Sequence, residues 1–171
     1  MQTLYALLAM ALIALLSFTV AQSQRGSQRR MAFNEVSTQA SGVAVDVIEY
    51  ISRMPFDVNT DTSKVHVWPP VTTANGLTAE NNFGGCASFS TCESIEEFDG
   101  VSFNRERDGF RFGVSINVRY VDEDDPTIVT GSQTFAKEVT VSVTNPHMSL
   151  GGNPVTLQMR RVITYDKVTD I

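Results

Sequence analysis

From Met1 to Gln24 the chain contains no Asp, Glu, Lys, Arg or His. A secretory signal peptide opens with basic residues, so the usual cleavable leader is missing its first element. Cleavage after Ala21, behind the small Thr19, is the alternative, and it would leave a secreted domain beginning near Gln22. Cysteine is scarce, with 2 in the chain. Cys86 and Cys92 are too far apart for a CxxC redox or zinc motif, and no other Cys exists to complete one. Histidine is equally rare, and His66 and His147 each stand alone in their segments. Neither a GxSxG nucleophile motif nor a phosphate-binding Gly loop occurs, so the chain is not expected to be an enzyme or to hold a cofactor. There is no Asn-x-Ser/Thr glycosylation site. Positive charge is also short: the net charge is -6, and because Arg25, Arg29 and Arg30 give the first 30 residues +3, residues 31 to 171 carry -9. An acidic body has no basic patch to neutralise phosphates, so a nucleic-acid partner is not expected.

What the N-terminal stretch does contain is the apolar run from Leu4 to Ala21 (LYALLAMALIALLSFTVA). At the helical rise, its roughly 18 residues would cover about 27 Å, close to the thickness of a bilayer core. Ala and Leu dominate it, both are strong helix formers, and neither Pro nor Gly interrupts it. Beyond it, Met31, Phe33, Val36, Ala40, Val43, Val47, Ile51 and Met54 recur at steps of mostly three and four. That spacing predicts an amphipathic continuation of the helix over 29–54, ended by Pro55. Read as one element, residues 2 to 54 would make a helix of about 75 to 80 Å. The polar run Gln22 to Gln28 around Gly26 is the place where it could bend or melt.

Residues 55–100 lack a period and are rich in Asn, Thr, Asp, Gly and Pro, which predicts a long connection with one short strand, Val65 to Trp68. The pair Cys86 and Cys92 would pin this connection if oxidised. An export-type N-terminus favours the disulfide over a pair of reduced thiols. From Gly109 the period becomes two. Phe110, Phe112, Val114, Ile116, Val118 and Tyr120 form one apolar face, Val139, Val141 and Val143 a second, and Val155, Leu157, Met159 and Ile163 a third, with Arg161 as a break. With a weaker strand at Val101 to Asn104, residues 101–171 read as an antiparallel meander. The helix stripe and the meander face would cover one another.

The expected fold is therefore α+β: a long N-terminal hydrophobic-to-amphipathic helix packed on a C-terminal antiparallel β-meander, with residues 1–28 as stalk and 29–171 as head. This architecture resembles the type IV pilin and pseudopilin superfamily. The resemblance implies a structural subunit of an extracellular filament on a prokaryotic cell surface. Its partners would be identical or homologous subunits in a helical polymer, and the inner membrane would hold it before assembly. The side chains implied in the filament core are Leu4, Tyr5, Leu7, Leu8, Leu12, Ile13, Leu15 and Leu16. Tyr5 stands where family members usually carry Glu, and the family's basic leader ending in Gly is absent; a chain already processed at Met1 would explain that absence. Arg25, Arg29 and Arg30 would keep the head in the cytoplasm under the positive-inside rule, whereas in a filament they would line its surface or meet lipid headgroups. The alternative of a different class is a monomeric membrane-anchored extracytoplasmic binding module.

No metal centre is expected, although two segments offer the hard oxygen ligands that calcium takes. Asp122, Asp124 and Asp125 lie in the acidic turn VDEDDP, and Asp57, Asn59 and Asp61 alternate in FDVNTDT. Neither follows the EF-hand spacing, and acidic turn residues are ordinarily solvated.

Overall fold

The absence of Pro and the abundance of Ala and Leu carry the N-terminal residues into one helix, α1, Gln2–Ile51. The computed structural model describes residues 2–60, 71, 73–150 and 153–165, and within α1 it describes the side chains of Met10, of 12–24, of Gln28 and of 30–51. The backbone stays helical through Gly26, where the polar run left room for a break. It ends three residues before the sequence pattern does. Ser52 N–H still bonds to Ile48 O at 2.9 Å, but Arg53 and Met54 reach back only three residues, to Tyr50 O and Ile51 O, tightening the last turn ahead of Pro55.

The apolar half of the expected fold class requires correction. Among the described residues, no helix is long and apolar enough to cross a membrane. The long hydrophobic helix of a pilin-like α+β fold is thus not what the described chain presents. Its described side chains form a short apolar stretch within residues 12–24, into which Ser17, Thr19, Gln22, Ser23 and Gln24 bring polar groups, and an amphipathic stretch over 30–51. What remains of the expectation is the coarser part, an α+β chain with a four-stranded antiparallel sheet.

The sheet is a meander in the order β1 (Ser102–Arg107), β2 (Phe110–Tyr120), β3 (Ala136–Leu150), β4 (Asn153–Thr164). Asp108 and Gly109 join β1 to β2 with positive φ at both positions, 50° and 80°, the backbone that a two-residue hairpin of this twist requires and that Asp-Gly supplies at low cost. The register places Val114 opposite Val143, Ile116 opposite Val141 and Val118 opposite Val139, so the apolar faces read from the sequence coincide across the strands. Met159 lies opposite Val141 and Leu157 opposite Val143, bringing β4 onto the same face. Arg161, opposite Val139, keeps the register but stays exposed, which is how the break in the alternation is accommodated.

The amphipathic half of α1 covers this face. Val36, Ala40, Val43, Ala44, Val47, Ile48 and Ile51 are buried with Phe112, Val114, Ile116, Val118, Val139, Val141 and Val143 in one core. Each fully buried aliphatic side chain contributes about 1.5 to 3 kcal/mol relative to exposure, so this stripe is what holds helix to sheet. Met31, placed in the stripe by its spacing, is exposed, and Phe33 and Met54 are half-buried at its ends. On the rim of the contact, Asp46 accepts from Arg107 Nη1 at 3.1 Å and lies 3.6 Å from Arg105 Nη2. Gly42, one turn earlier, leaves room for that guanidinium, because a Cβ there would lie 2.7 Å from Arg107 Nη1.

The connection between α1 and β1 has no strand among its described residues. It is built of short 3-10 turns at Val58–Thr60, Ala74–Gly76, Glu80–Asn82 and Ile95–Phe98. The strand expected at Val65 to Trp68 lies outside the described residues. Replacing Ile51 with Ala, at the fully buried end of the stripe, is expected to cost about 2 to 5 kcal/mol in urea unfolding, since a Leu- or Ile-sized cavity in a close-packed core relaxes only partly.

Candidate functional site

The described N-terminal part of α1 and the head it leads into differ sharply in how they treat apolar surface. Leu12, Ile13, Leu15, Leu16, Phe18 and Val20, together with Met10, are each 54% to 70% exposed. They occur at successive positions and so point all round the helix rather than along one stripe. Ser17 and Thr19 hydroxyls donate back to the helix, to Ile13 O and Leu16 O at 2.8 Å each, while both residues stay exposed. Leu12, Ile13, Leu15 and Leu16 from the sequence-based set thus lie together on this exposed segment. Leu4, Tyr5, Leu7 and Leu8 fall where side chains are not described, as do those of Arg25 and Arg29, while Arg30 is exposed.

Cys86 and Cys92 form the disulfide, with Cα atoms 5.1 Å apart. The small loop they close carries Phe89, whose ring packs on Phe103 of β1 at 4.5 Å, on Tyr50 of α1 at 4.9 Å and on Phe98 at 5.4 Å between centroids. The covalent closure therefore fixes an aromatic anchor between the helix end, the connection and the first strand.

The acidic turn uses its carboxylates locally. Asp122 Oδ1 accepts the N–H groups of Asp124 and Asp125 at 2.9 and 3.0 Å, while Asp125 Oδ1 accepts from Thr127 N at 3.1 Å and Thr127 Oγ1 at 2.6 Å. These bonds from Thr127 hold the Asp125 carboxyl below its ordinary range. Asp122, Asp124 and Asp125 are thus brought into one turn, in which the Asp122 and Asp125 carboxylates are used by the turn itself. Among the described residues, no three His, Cys, Asp or Glu side chains are gathered to hold a metal ion. His147 is exposed beside the β3 irregularity, 6.4 Å from the Phe110 ring, and His66 and Asp61 lie outside the described residues.

The most unusual chemistry is one that the motif reading missed. Lys137, on the core face of β3, is 0% exposed, and its Nζ donates to Phe56 O at 2.7 Å, Asp57 Oδ2 at 2.9 Å and Glu96 Oε2 at 3.0 Å. All three ammonium protons are thereby used. Asp57 and Glu96 are themselves buried. Asp57 Oδ1 accepts from Asn59 N at 3.1 Å and Thr78 Oγ1 at 2.9 Å, and Oδ2 also accepts from Thr78 N at 3.0 Å. Glu96 Oε1 accepts from Val58 N at 2.6 Å and Ser94 Oγ at 2.9 Å. Phe56, Phe83 and Tyr120 place their rings 4.5, 5.2 and 5.4 Å from Nζ, within cation–π range. Asp57, one of the residues considered for calcium, therefore has a lysine where a cation would sit. The signal for Lys137 was present: stepping back by two from Val143, Val141 and Val139 reaches it. Glu96 gave no such signal, because it lies in a segment without a period.

Tyr120 closes the site, donating its hydroxyl to Thr78 O at 2.7 Å. Burial first, and then the negative charges of Asp57 and Glu96, push its hydroxyl pKa above the ordinary tyrosine value.

No family model, curated protein or solved structure matches the chain.

Two outcomes are expected from these geometries. Reducing the disulfide, or replacing Cys86 with Ser, should lower unfolding stability by about 2 kcal/mol on the loop-entropy scale for so short a closure, read from chemical denaturation. Tyr120 has a raised pKa in the folded state. Its contribution to stability should be complete below the unfolded tyrosine pKa of about 10 and should be lost as pH rises above it. An alkaline absorbance titration should therefore show one of the 4 tyrosines ionising only together with unfolding.

Proposed function

We propose that the protein is a structural subunit of an extracellular filament of the type IV pilus or pseudopilus kind, self-associating through the exposed apolar segment of α1. The observation that carries this reading is the exposure of Leu12, Ile13, Leu15, Leu16, Phe18 and Val20 on a helix whose other half buries its apolar stripe, Val36 to Ile51, in the core of the head. Contiguous apolar surface of this extent marks a contact with another molecule. Because the side chains point all round the helix, a single flat partner would leave part of them wet, whereas neighbouring copies of the same helix can surround it. A bundle of identical helices removes that surface from water while the acidic heads remain outside.

The partners in this reading are identical or homologous subunits, and the same segment rests in lipid before assembly. Contact between one patch and a different patch on the next copy gives an open helical polymer when the rotation does not close into a ring. The work of the protein is then mechanical rather than catalytic. The setting is a prokaryotic cell surface.

Replacing Leu12 with Asp should abolish fibre formation, seen by negative-stain microscopy of sheared surface material, while the head keeps its native circular dichroism. Fibres at wild-type level in this variant would count against the proposal. Monodisperse protein retained at the membrane in the wild type would favour the anchored binding module instead.

A further inference from the structure

The Lys137 site has the composition of a reaction centre as well as of an ion pair. A primary amine and a carboxylate are held 2.9 Å apart, a second carboxylate lies 3.0 Å from the same nitrogen, and all three side chains are sealed from solvent. Holding an amine against a carboxyl group in fixed orientation replaces a bimolecular encounter with an intramolecular one, the largest entropic obstacle to condensation. Charge is costly where water is excluded, and an amide would remove two charges from this pocket at once.

We propose that Lys137 and Asp57 condense to an intramolecular amide, with Glu96 carrying the proton between nitrogen and leaving oxygen. One ammonium proton passes to Asp57 Oδ2, giving a neutral amine and a neutral acid. Rotation about the Cε–Nζ bond turns the freed lone pair to Cγ, and the Nζ–Cγ bond forms. Charge then develops on Oδ1, which already faces the Asn59 N–H at 3.1 Å and the Thr78 hydroxyl at 2.9 Å, donors placed as an oxyanion site requires. The new Nζ–H gives a proton to Glu96 Oε2, which returns it to the Oδ2 hydroxyl. The Cγ–Oδ2 bond breaks and water leaves. Two protons and one oxygen depart as that water, Glu96 ends as it began, and no oxidant, reductant or further reactant is consumed.

Val58 N–H and Ser94 Oγ on Glu96 Oε1 hold the relay carboxylate with its other oxygen toward the amine. The rings of Phe56, Phe83 and Tyr120 enclose the nitrogen and keep competing water away. The bond would tie residue 57, just beyond the end of α1, to the start of β3, closing a loop that includes most of the irregular connection together with β1 and β2. This inference concerns the head alone and does not depend on the filament reading.

Intact mass spectrometry of the full chain after disulfide reduction tests it. The wild type should be lighter than its sequence mass by one water. A tryptic digest should then yield a branched peptide joining the segments of Asp57 and Lys137, without cleavage after Lys137. K137R, which keeps the cation but offers no amine, and E96Q, which keeps the shape but not the proton relay, should both show the full sequence mass. The wild type at full sequence mass with a free Lys137 peptide would overturn the proposal, whatever the variants do. Water loss mapped to other residues, or retained in K137R, would overturn it as well.

Discussion

The buried contact of Lys137 with Asp57 and Glu96 is the constraint on which the head depends. Three pieces of chain that share no secondary structure meet at one nitrogen: the exit from α1 at Phe56 and Asp57, the 3-10 turn carrying Glu96, and strand β3. Breaking such a buried pair by removing one partner generally costs about 3 to 5 kcal/mol, because the remaining charge is left uncompensated. Here the penalty falls on the fold's least regular part. The backbone N–H groups of Val58, Asn59 and Thr78, which no helix or strand satisfies, end on these two carboxylates. The cluster thus supplies the polar accounting that secondary structure supplies elsewhere, and among the described residues no buried side-chain nitrogen or oxygen lacks a partner.

Around this point the molecule divides by what its apolar surface requires. In the head, the stripe from Val36 to Ile51 and the matched faces of β2, β3 and β4 satisfy one another, the Phe89 loop is closed by the disulfide, and the Asp46 carboxylate joins helix to hairpin. The segment around Leu12 to Val20 has no such partner among the described residues. A helix that is half core and half uncovered is stable as a fold but incomplete as a surface, and this imbalance motivates reading the protein as one member of an assembly. The two halves also divide chemically, with the negative charge concentrated after residue 30. In the assembly proposed above, heads of like charge would repel one another weakly at physiological salt, where charges are screened beyond roughly 8 Å, and apolar packing of the helices would set the contact.

Periodic segments were legible in the sequence because burial imposes a period. The faces of Phe112 to Tyr120 and of Val139 to Val143 follow directly from alternation, and the register confirms that they meet. The helix stripe from Val36 to Ile51 was equally clear. The apolar N-terminal run was over-read: Ser17, Thr19 and the Gln-rich continuation interrupt the apolar helix, and among the described residues no helix is long and apolar enough to cross a membrane. The site residues divide the same way. Tyr120 was already read on the inward face of its strand, and Lys137 could have been found by extending the alternation of Val143, Val141 and Val139 by one step, to where a buried charge needs a partner. Asp57 was singled out, but for calcium; its pairing with Lys137, and the roles of Thr78 and Glu96, were not legible, because these residues lie in a connection whose course is set by hydrogen bonds between residues far apart in the chain. Composition identified that stretch as irregular but not where it goes.

If the side-chain oxygens of Asp57 and Glu96 hold the connection to the sheet, the backbone amides that donate to them must be as protected as the sheet itself. Native-state hydrogen exchange on the full chain measures this most directly, at Val58 and Asn59, whose acceptors are Glu96 Oε1 and Asp57 Oδ1. The account predicts that both exchange as slowly as the amides shared by β2 and β3, through global unfolding alone. Rapid exchange at Val58 and Asn59, at the rate of an exposed loop while the strands stay protected, would contradict it.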